Sequence, residues 1–503
     1  MEIVDPRPLL ALGISLACAL LVFATGRHYG RRVLWSMGAA LLKFGVVISL
    51  LPGAMAGEVY LFRLVEFPPG VGIGFRVDLM GLFFALVSST LWIFTTIYAI
   101  GYMRGEADRA QVRFFGFFAL CVAATVGIAF AENLLTLFIF YELLTVCTYP
   151  LVIHKETPAA LKAGRKYLIY TLGGGGLVLL GLVLVQHAAG TLSFGQTGLL
   201  AAGAHDGPLG GGPLGGGQLG LIFAVLVLGF GVKAAVMPLH GWLPSAMVAP
   251  TPVSALLHAV AVVKAGAFGI LRVIYDIFGL ELLAQLNFTQ ALAWLAVVSI
   301  IGGSLLAWRQ VNLKRRLAYS TVSQVSYILL AASLLNPTAT VVAIMHLANQ
   351  GFAKITMFFV AGAIEQGSGR TEINQLDGIG RQMPWSLAAF TVAALSFIGV
   401  PLLAGFLTKW LVILGALEGE AWWFAAVMVI SGLLNAVYWL PVVYRAYFRP
   451  VTGVVADPGW LLRGPIIACA AFVVLLGTTA HFHLLPFSVA SEAARVIWAE
   501  VAN

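Results

Sequence analysis

The chain is organised as a series of long apolar runs, about fourteen of them, separated by short polar connections. A helix that crosses the hydrocarbon of a bilayer needs about 20 apolar residues. Only helices and closed barrels satisfy every backbone polar group there. Runs of this length therefore predict an all-α polytopic membrane protein with about fourteen transmembrane helices. Composition agrees: hydrophobic residues make up 60% of the 503 and charged residues 10%, where soluble domains carry roughly 25% charged residues. The chain divides into helices 1–3 (residues 1–112), helices 4–8 (113–280), helices 9–13 (281–450), and helix 14 with a tail (451–503). The N-terminal MEIVDPRPLL is acidic, unlike a cleaved secretory signal, so residues 9–25 are expected to be a retained helix. Gly207–Gly217 reads as a flexible surface loop.

Basic residues set the expected orientation. Arg27, Arg31 and Arg32, then Arg104, Arg109 and Arg113, then Lys155, Lys162, Arg165 and Lys166 fall in alternate connections. The series continues with Arg309 to Arg316, Arg370 and Arg381, and Arg445, Arg449 and Arg463. The alternation fails only at the connection between the seventh and eighth runs, which falls on the basic side but lacks Lys and Arg. Basic loops stay cytoplasmic, which puts both termini on the outer face of a prokaryotic inner membrane. The net charge of +8 then belongs to loops facing anionic lipid. With no basic patch interleaved with aromatics, it does not indicate nucleic acid. Cys18, Cys121, Cys147 and Cys469 all lie in apolar runs without ligand spacing, so no disulfide framework, metal site or redox cofactor is expected.

Several charges break the apolar pattern: Lys43, Arg76, Lys233, Lys264, Lys354 and Lys409, with Asp78 and Glu142. Each costs at least ~2.5–3.5 kcal/mol on insertion scales. Lys43 and Arg76 lie near span ends, where snorkelling to the interface would account for them. Lys233, Lys264, Lys409 and Glu142 sit too deep for that and point to an internal polar path. His258 precedes Lys264 by six residues; His346, Gln350 and Lys354 recur every fourth residue and so share a helix face. Desolvation, or a second ammonium nearby, brings a lysine's proton exchange toward neutral pH. A row of such groups joined by water is a proton relay. Gly229, Gly231 and Pro238 are expected to interrupt the seventh span beside Lys233. Gly399, Pro401 and Gly405 are expected to interrupt the twelfth just before Lys409. Broken helices are tolerated at membrane depth only where protein or water satisfies the freed backbone.

The blocks YELLTVCTYPLV, VKAAVMPLHGWLPSAMVAPTPVSALLHAVAVVKAG, KRRLAYSTVSQVSY, MHLANQGFAKITMFFVAGAI and GVPLLAGFLTKW together resemble the antiporter-like subunits of respiratory complex I and of multisubunit Mrp-type Na+/H+ antiporters, most closely the Mrp D subunit. The resemblance covers residues 78–449. It implies two inverted five-helix repeats, with broken helices 7 and 12. It implies proton translocation by Glu142 and Lys233 as the first half-channel's pair, Lys264 as the bridging lysine, His346 and Lys354 as a polar line, and Lys409 at the far end; His258 joins this set from its position before Lys264. Two departures stand out: Ser245 where the family often has an acid, and Gln350 where it often has a second histidine. The partners implied are other membrane subunits of an Mrp-type, complex I-like, hydrogenase or formate-oxidising complex, surrounding lipid, and H+ or Na+ as the ion. With no redox ligands of its own, the chain would leave any electron transfer to those partners. The alternative from the residues alone is a free-standing secondary transporter of an organic solute, which broken helices also fit.

Overall fold

The computed structural model describes residues 2–67, 71–105, 107–195, 198–202, 215–451, 453–479 and 486–499. The expected Gly207–Gly217 loop lies mostly outside them.

Among the described residues, twelve helices or helical segments are long and apolar enough to cross a membrane. The first eight are α1 Arg7–Thr25, α2 Tyr29–Ser49, α3 Leu79–Tyr102, α4 Asp108–Ala129, α5 Leu134–Val152, α6 Pro158–Ala189, α7 Gly216–Ala234 and α8 Thr251–Phe278. Next come α9 Phe288–Trp308, α10 Leu313–Ser333 and α11 Pro337–Ser368. The chain continues with α12 Pro384–Ile398, α13 Ala404–Glu418, α14 Trp422–Phe448, α15 Trp460–Thr479 and the short terminal helix α16 Phe487–Ala499. Helix starts follow local chemistry. Asp78, Asn133, Asn312 and Asn336 each accept a hydrogen bond from a backbone N–H of the first turn, satisfying one of its free donors.

α8 and α11 form the centre: every residue of their apolar windows is buried, against a third for α2 and α14. α10 packs beside α11 and is too polar to pass as a span by hydropathy. Its Ser320, Thr321, Ser323, Gln324 and Ser326 are all buried; an interior helix need not be apolar when its polar groups have protein partners.

One addition was not anticipated from the apolar runs. A three-stranded sheet, β1 Glu2–Val4, β2 Val59–Phe67 and β3 Val71–Val77, caps one end of the bundle, with β1 parallel and β3 antiparallel to β2. Arg76 is therefore on a strand, not in a span. Its Nη1 donates to Phe194 O at 3.0 Å. Lys43 does not snorkel: it is fully buried in α2, its Nζ 4.9 Å from the centre of the Trp92 ring.

Candidate functional site

The seventh span breaks, but not at its glycines. Gly229 and Gly231 lie inside α7, and the helix ends at Ala235, whose φ is +57°. An alanine in this region is disfavoured, and such strain is held only by surrounding structure. Gly229 serves packing instead. A Cβ there would meet Val178 Cγ2 at 2.8 Å and Gly174 O at 2.9 Å on α6. The freed backbone is repaired locally: Trp242 Nε1 donates to Val232 O at 2.7 Å, and Val236 N to Gly231 O at 3.0 Å.

Lys233 occupies the last turn before this break, where the helix end favours a cation. It is fully buried. Its Nζ donates to Tyr141 O, lies 3.2 Å from the Tyr141 ring centre, and sits 3.9 Å from Glu142 Oε1. Tyr141 OH in turn donates to Gly229 O at 3.1 Å, fixing α5 to α7. The Glu142 carboxylate takes this position against a glycine of α6; a Cβ at Gly175 would push it aside.

The twelfth span breaks as expected, between Ile398 and Ala404, with Gly399 at φ +102° and Leu402 at +70°. Lys409 on α13 reaches back across the gap. Its Nζ donates to Phe397 O at 2.7 Å and Ile398 O at 2.8 Å, the last carbonyls of α12.

Between these ends runs a polar core on α8, α10, α11 and α13. Lys264 Nζ lies 3.5 Å from His346 O. The His346 ring bridges Thr408 Oγ1 at 3.0 Å and Gln324 O at 3.1 Å. Asn349 Nδ2 donates to the same Thr408 hydroxyl at 2.9 Å. Lys354 Nζ donates to Ser320 Oγ and lies 4.4 Å from the Phe397 ring centre. Phe397 thus holds Lys354 with its ring and Lys409 with its carbonyl. His258 sits on a π-helical turn, Leu256–Val260, a feature frequent at functional sites. Its carbonyl accepts from Gln350 Nε2 at 3.2 Å, and its ring lies 4.7 Å from Phe358, with no partner for either ring nitrogen among the described residues.

Of the seven residues singled out from sequence, six are buried and Glu142 is half-buried, but they are not joined throughout. Among the described residues no hydrogen bond links Lys233 to Lys264; the backbone does the joining there, since Gly266 of α8 packs directly on the Lys233–Ala234 peptide. Several groups escaped sequence reading. The Tyr327 ring lies 5.4 Å from His346, and its hydroxyl extends the polar line to α14, meeting Ser431 Oγ at 2.7 Å and accepting from Asn435 Nδ2 at 3.3 Å. Glu365, at the end of α11, pairs with Lys314 at 3.0 Å and Lys155 at 3.8 Å. Arg272 holds Asp78 and Asp276. Their signal was present as charges at span ends, but the pairing depends on tertiary neighbours.

Comparison with known proteins agrees with this architecture. The profile of the NADH:quinone oxidoreductase/Mrp antiporter transmembrane family matches residues 131–435, from the start of α5 to α14. NADH-quinone oxidoreductase subunit N of Desulforudis audaxviator is 32% identical over 88% of this chain and 85% of its own. A probable K(+)/H(+) antiporter subunit of Rhizobium meliloti is 31% identical over 91% of this chain, which spans 46% of that longer protein. Among solved structures, a chain of the Mrp complex from Dietzia sp. DQ12-45-1b superposes with a TM-score of 0.85 at 21% identity, covering 98% of this chain and 97% of that one. With its matched core, its multi-pass helical fold and these relatives, the chain belongs to the NADH:quinone oxidoreductase/Mrp antiporter family of membrane proteins.

Proposed function

We propose that the chain is a proton-translocating, antiporter-like subunit of a larger membrane complex, and that Glu142, Lys233, His258, Lys264, His346, Lys354 and Lys409 carry the proton. The observation that carries this reading is the Glu142–Lys233 pair at 3.9 Å beside the break in α7. Two opposite charges at that distance attract by about 4 kcal/mol at an effective dielectric of about 20. Swinging the carboxylate to twice the distance removes about half of that. Movement of Glu142 therefore decides whether Lys233 keeps its proton or passes it toward Lys264. His346, Lys354 and Phe397 lead from there to Lys409. Na+ is less suited to this row, because ammonium groups repel it and sodium wants several oxygen ligands.

In this reading α12 and α13 are two halves of one span and α10 is a span despite its polarity, which makes fourteen. Helices 4–8 and 9–13, residues 113–280 and 281–450, form the inverted repeats, between the N-terminal helices of 1–112 and the C-terminal helix and tail of 451–503. Both termini and the sheet face outward from a prokaryotic inner membrane, supported by the alternation of basic loops. The partners are other membrane subunits of an Mrp-type antiporter or of a complex I-like, hydrogenase or formate-oxidising assembly; the D-type assignment rests on the motifs alone.

The test is flux in membrane vesicles with assembly followed by blotting. Glu142→Ala and Lys233→Ala should each assemble and lose proton-coupled transport. Wild-type flux in either would refute the pair as a working element.

A further inference from the structure

The sheet end of the bundle contains a charged cavity that the row from Glu142 to Lys409 leaves unused. Its volume is about 180 Å3, and its walls include Arg76, Asp78, Arg272, Tyr275, Asp276 and Ala493. A polar space of that size accommodates water. Arg272 controls it. One nitrogen, Nη1, donates both to Asp78 Oδ2 at 2.5 Å and to Asp276 Oδ2 at 3.1 Å. Asp78 also caps α3 through its other oxygen, which accepts from Gly81 N at 2.7 Å. Two carboxylates on two helices share one donor, so either can be released without leaving the guanidinium unpaired.

α8 leads from this cavity to the centre. Lys264, Phe268, Arg272 and Asp276 recur every fourth residue, which puts them along one side of the helix. Lys264 faces His346 O. Phe268, fully buried, fills the turn between Lys264 and Arg272. Its ring centre is 4.9 Å from the Arg272 guanidinium carbon and 4.9 Å from the Phe84 ring. Phe268 therefore stands midway along the helix between an interior lysine and an arginine on the cavity wall.

We infer that this cavity is a second proton opening of the subunit, serving Lys264, with Phe268 as its plug and Asp78–Arg272–Asp276 as its lock. This rests on the reading of Lys264 as a proton station. When the Phe268 ring turns aside, a short chain of waters spans the roughly two helical turns, about 12 Å, between Lys264 and Arg272. The Lys264 ammonium gives its proton to that water, the carboxylate of Asp276 takes it up, and it leaves through the cavity as hydrated H+; the reverse sequence loads Lys264.

The experiment uses the whole complex in vesicles with an internal pH dye and an imposed pH gradient but no other driving force. Phe268→Ala should raise the passive proton leak about tenfold, and adding Lys264→Met should return it to the wild-type level. An assembled Phe268→Ala complex as tight as wild type overturns the plug. A raised leak that survives Lys264→Met overturns the connection to Lys264. If Phe268→Ala does not assemble, Phe268→Leu takes its place with the same two outcomes. Independently, Ala493→Cys in a background with the four native cysteines replaced should react with a membrane-impermeant thiol reagent from one side only. Failure to react from either side shows a sealed void and overturns the opening. This labelling needs no transport, so it stands or falls apart from the relay, whereas normal flux in Lys264→Met alone would sink the relay reading whatever Phe268 does.

Discussion

The two broken spans place a buried lysine beside a helix gap, yet they hold it in opposite ways. Lys233 lies 3.9 Å from a carboxylate on another helix. Lys409 has two main-chain carbonyls of its own span at 2.7 and 2.8 Å. A carboxylate on a flexible side chain moves without unfolding anything, and its charge interaction changes by kcal/mol as it does. Helix-end carbonyls are fixed by the helix and supply only partial charge. The first break thus adds an adjustable carboxylate to the fixed Tyr141 carbonyl that Lys233 also meets, while the second has fixed carbonyls alone. If the row is the relay proposed above, its control lies at the movable end.

Glutamate substitutions should separate the two most strongly. Lys233→Glu puts a second carboxylate next to Glu142, and like charges so close and so buried are mutually destabilising. Flux should fall to background. Lys409→Glu faces only carbonyls; a protonated carboxyl can donate to one of them, so part of the flux should remain. Equal loss in both, measured in vesicles at matched assembly, would erase the distinction between the sites.

Arginine tests whether the fixed end must release a proton at all. Lys409→Arg keeps the positive charge and has donors for both carbonyls, but a guanidinium does not deprotonate at useful pH. Turnover should stop while the break stays intact. Normal proton flux would make Lys409 a structural clasp on the α12 carbonyls.

The apolar runs were legible because bilayer thickness fixes helix length, and the charges were legible because each is costly where it stands. Even α10 could be placed, since its polar face still leaves a run of the right length. The partners were not legible. That Lys409 binds the Phe397 and Ile398 carbonyls depends on a backbone gap whose geometry no composition encodes. Gly229 and Gly231 were misread as breakers because glycine serves close packing as readily as a bend; the break opens at Ala235, which carries no such mark, and ends at Pro238, which does. The sheet was missed because its strands lie beside stronger helical signals and β3 runs directly into the start of α3. The Gly173–Gly176 run did hold information, for it is there that α6 makes room for Glu142.

Gly175 gives a smaller perturbation of the adjustable end. Gly175→Ala introduces one methyl group against the Glu142 carboxylate, which must rotate away from its present position. The charge pair is retained but misplaced, so flux should drop by about tenfold, the consequence of about 1.4 kcal/mol, without affecting assembly. Gly176, whose Cβ would meet nothing within 4 Å, supplies the control: Gly176→Ala should be silent. A silent Gly175→Ala would mean that the observed position of Glu142 does not matter.

The mildest effect is expected midway between the two ends, at Gln350. This residue cannot titrate, so it does not carry a proton; its Nε2 donates to His258 O at 3.2 Å and holds α11 against the π-turn of α8. Gln350→Leu keeps the volume and removes that bond, leaving a buried carbonyl without this donor, at about 1–3 kcal/mol if nothing replaces it. Water or a shift of the π-turn can compensate for much of this, so flux should fall only a few-fold. Gln350→His restores a donor and adds a titratable ring, and should recover flux to wild type or above. Complete loss in Gln350→Leu with rescue by Gln350→His would show that the centre, rather than Glu142, limits transfer. The contrast between the movable and the fixed end would then describe two flanks of a bottleneck at His258 and Gln350.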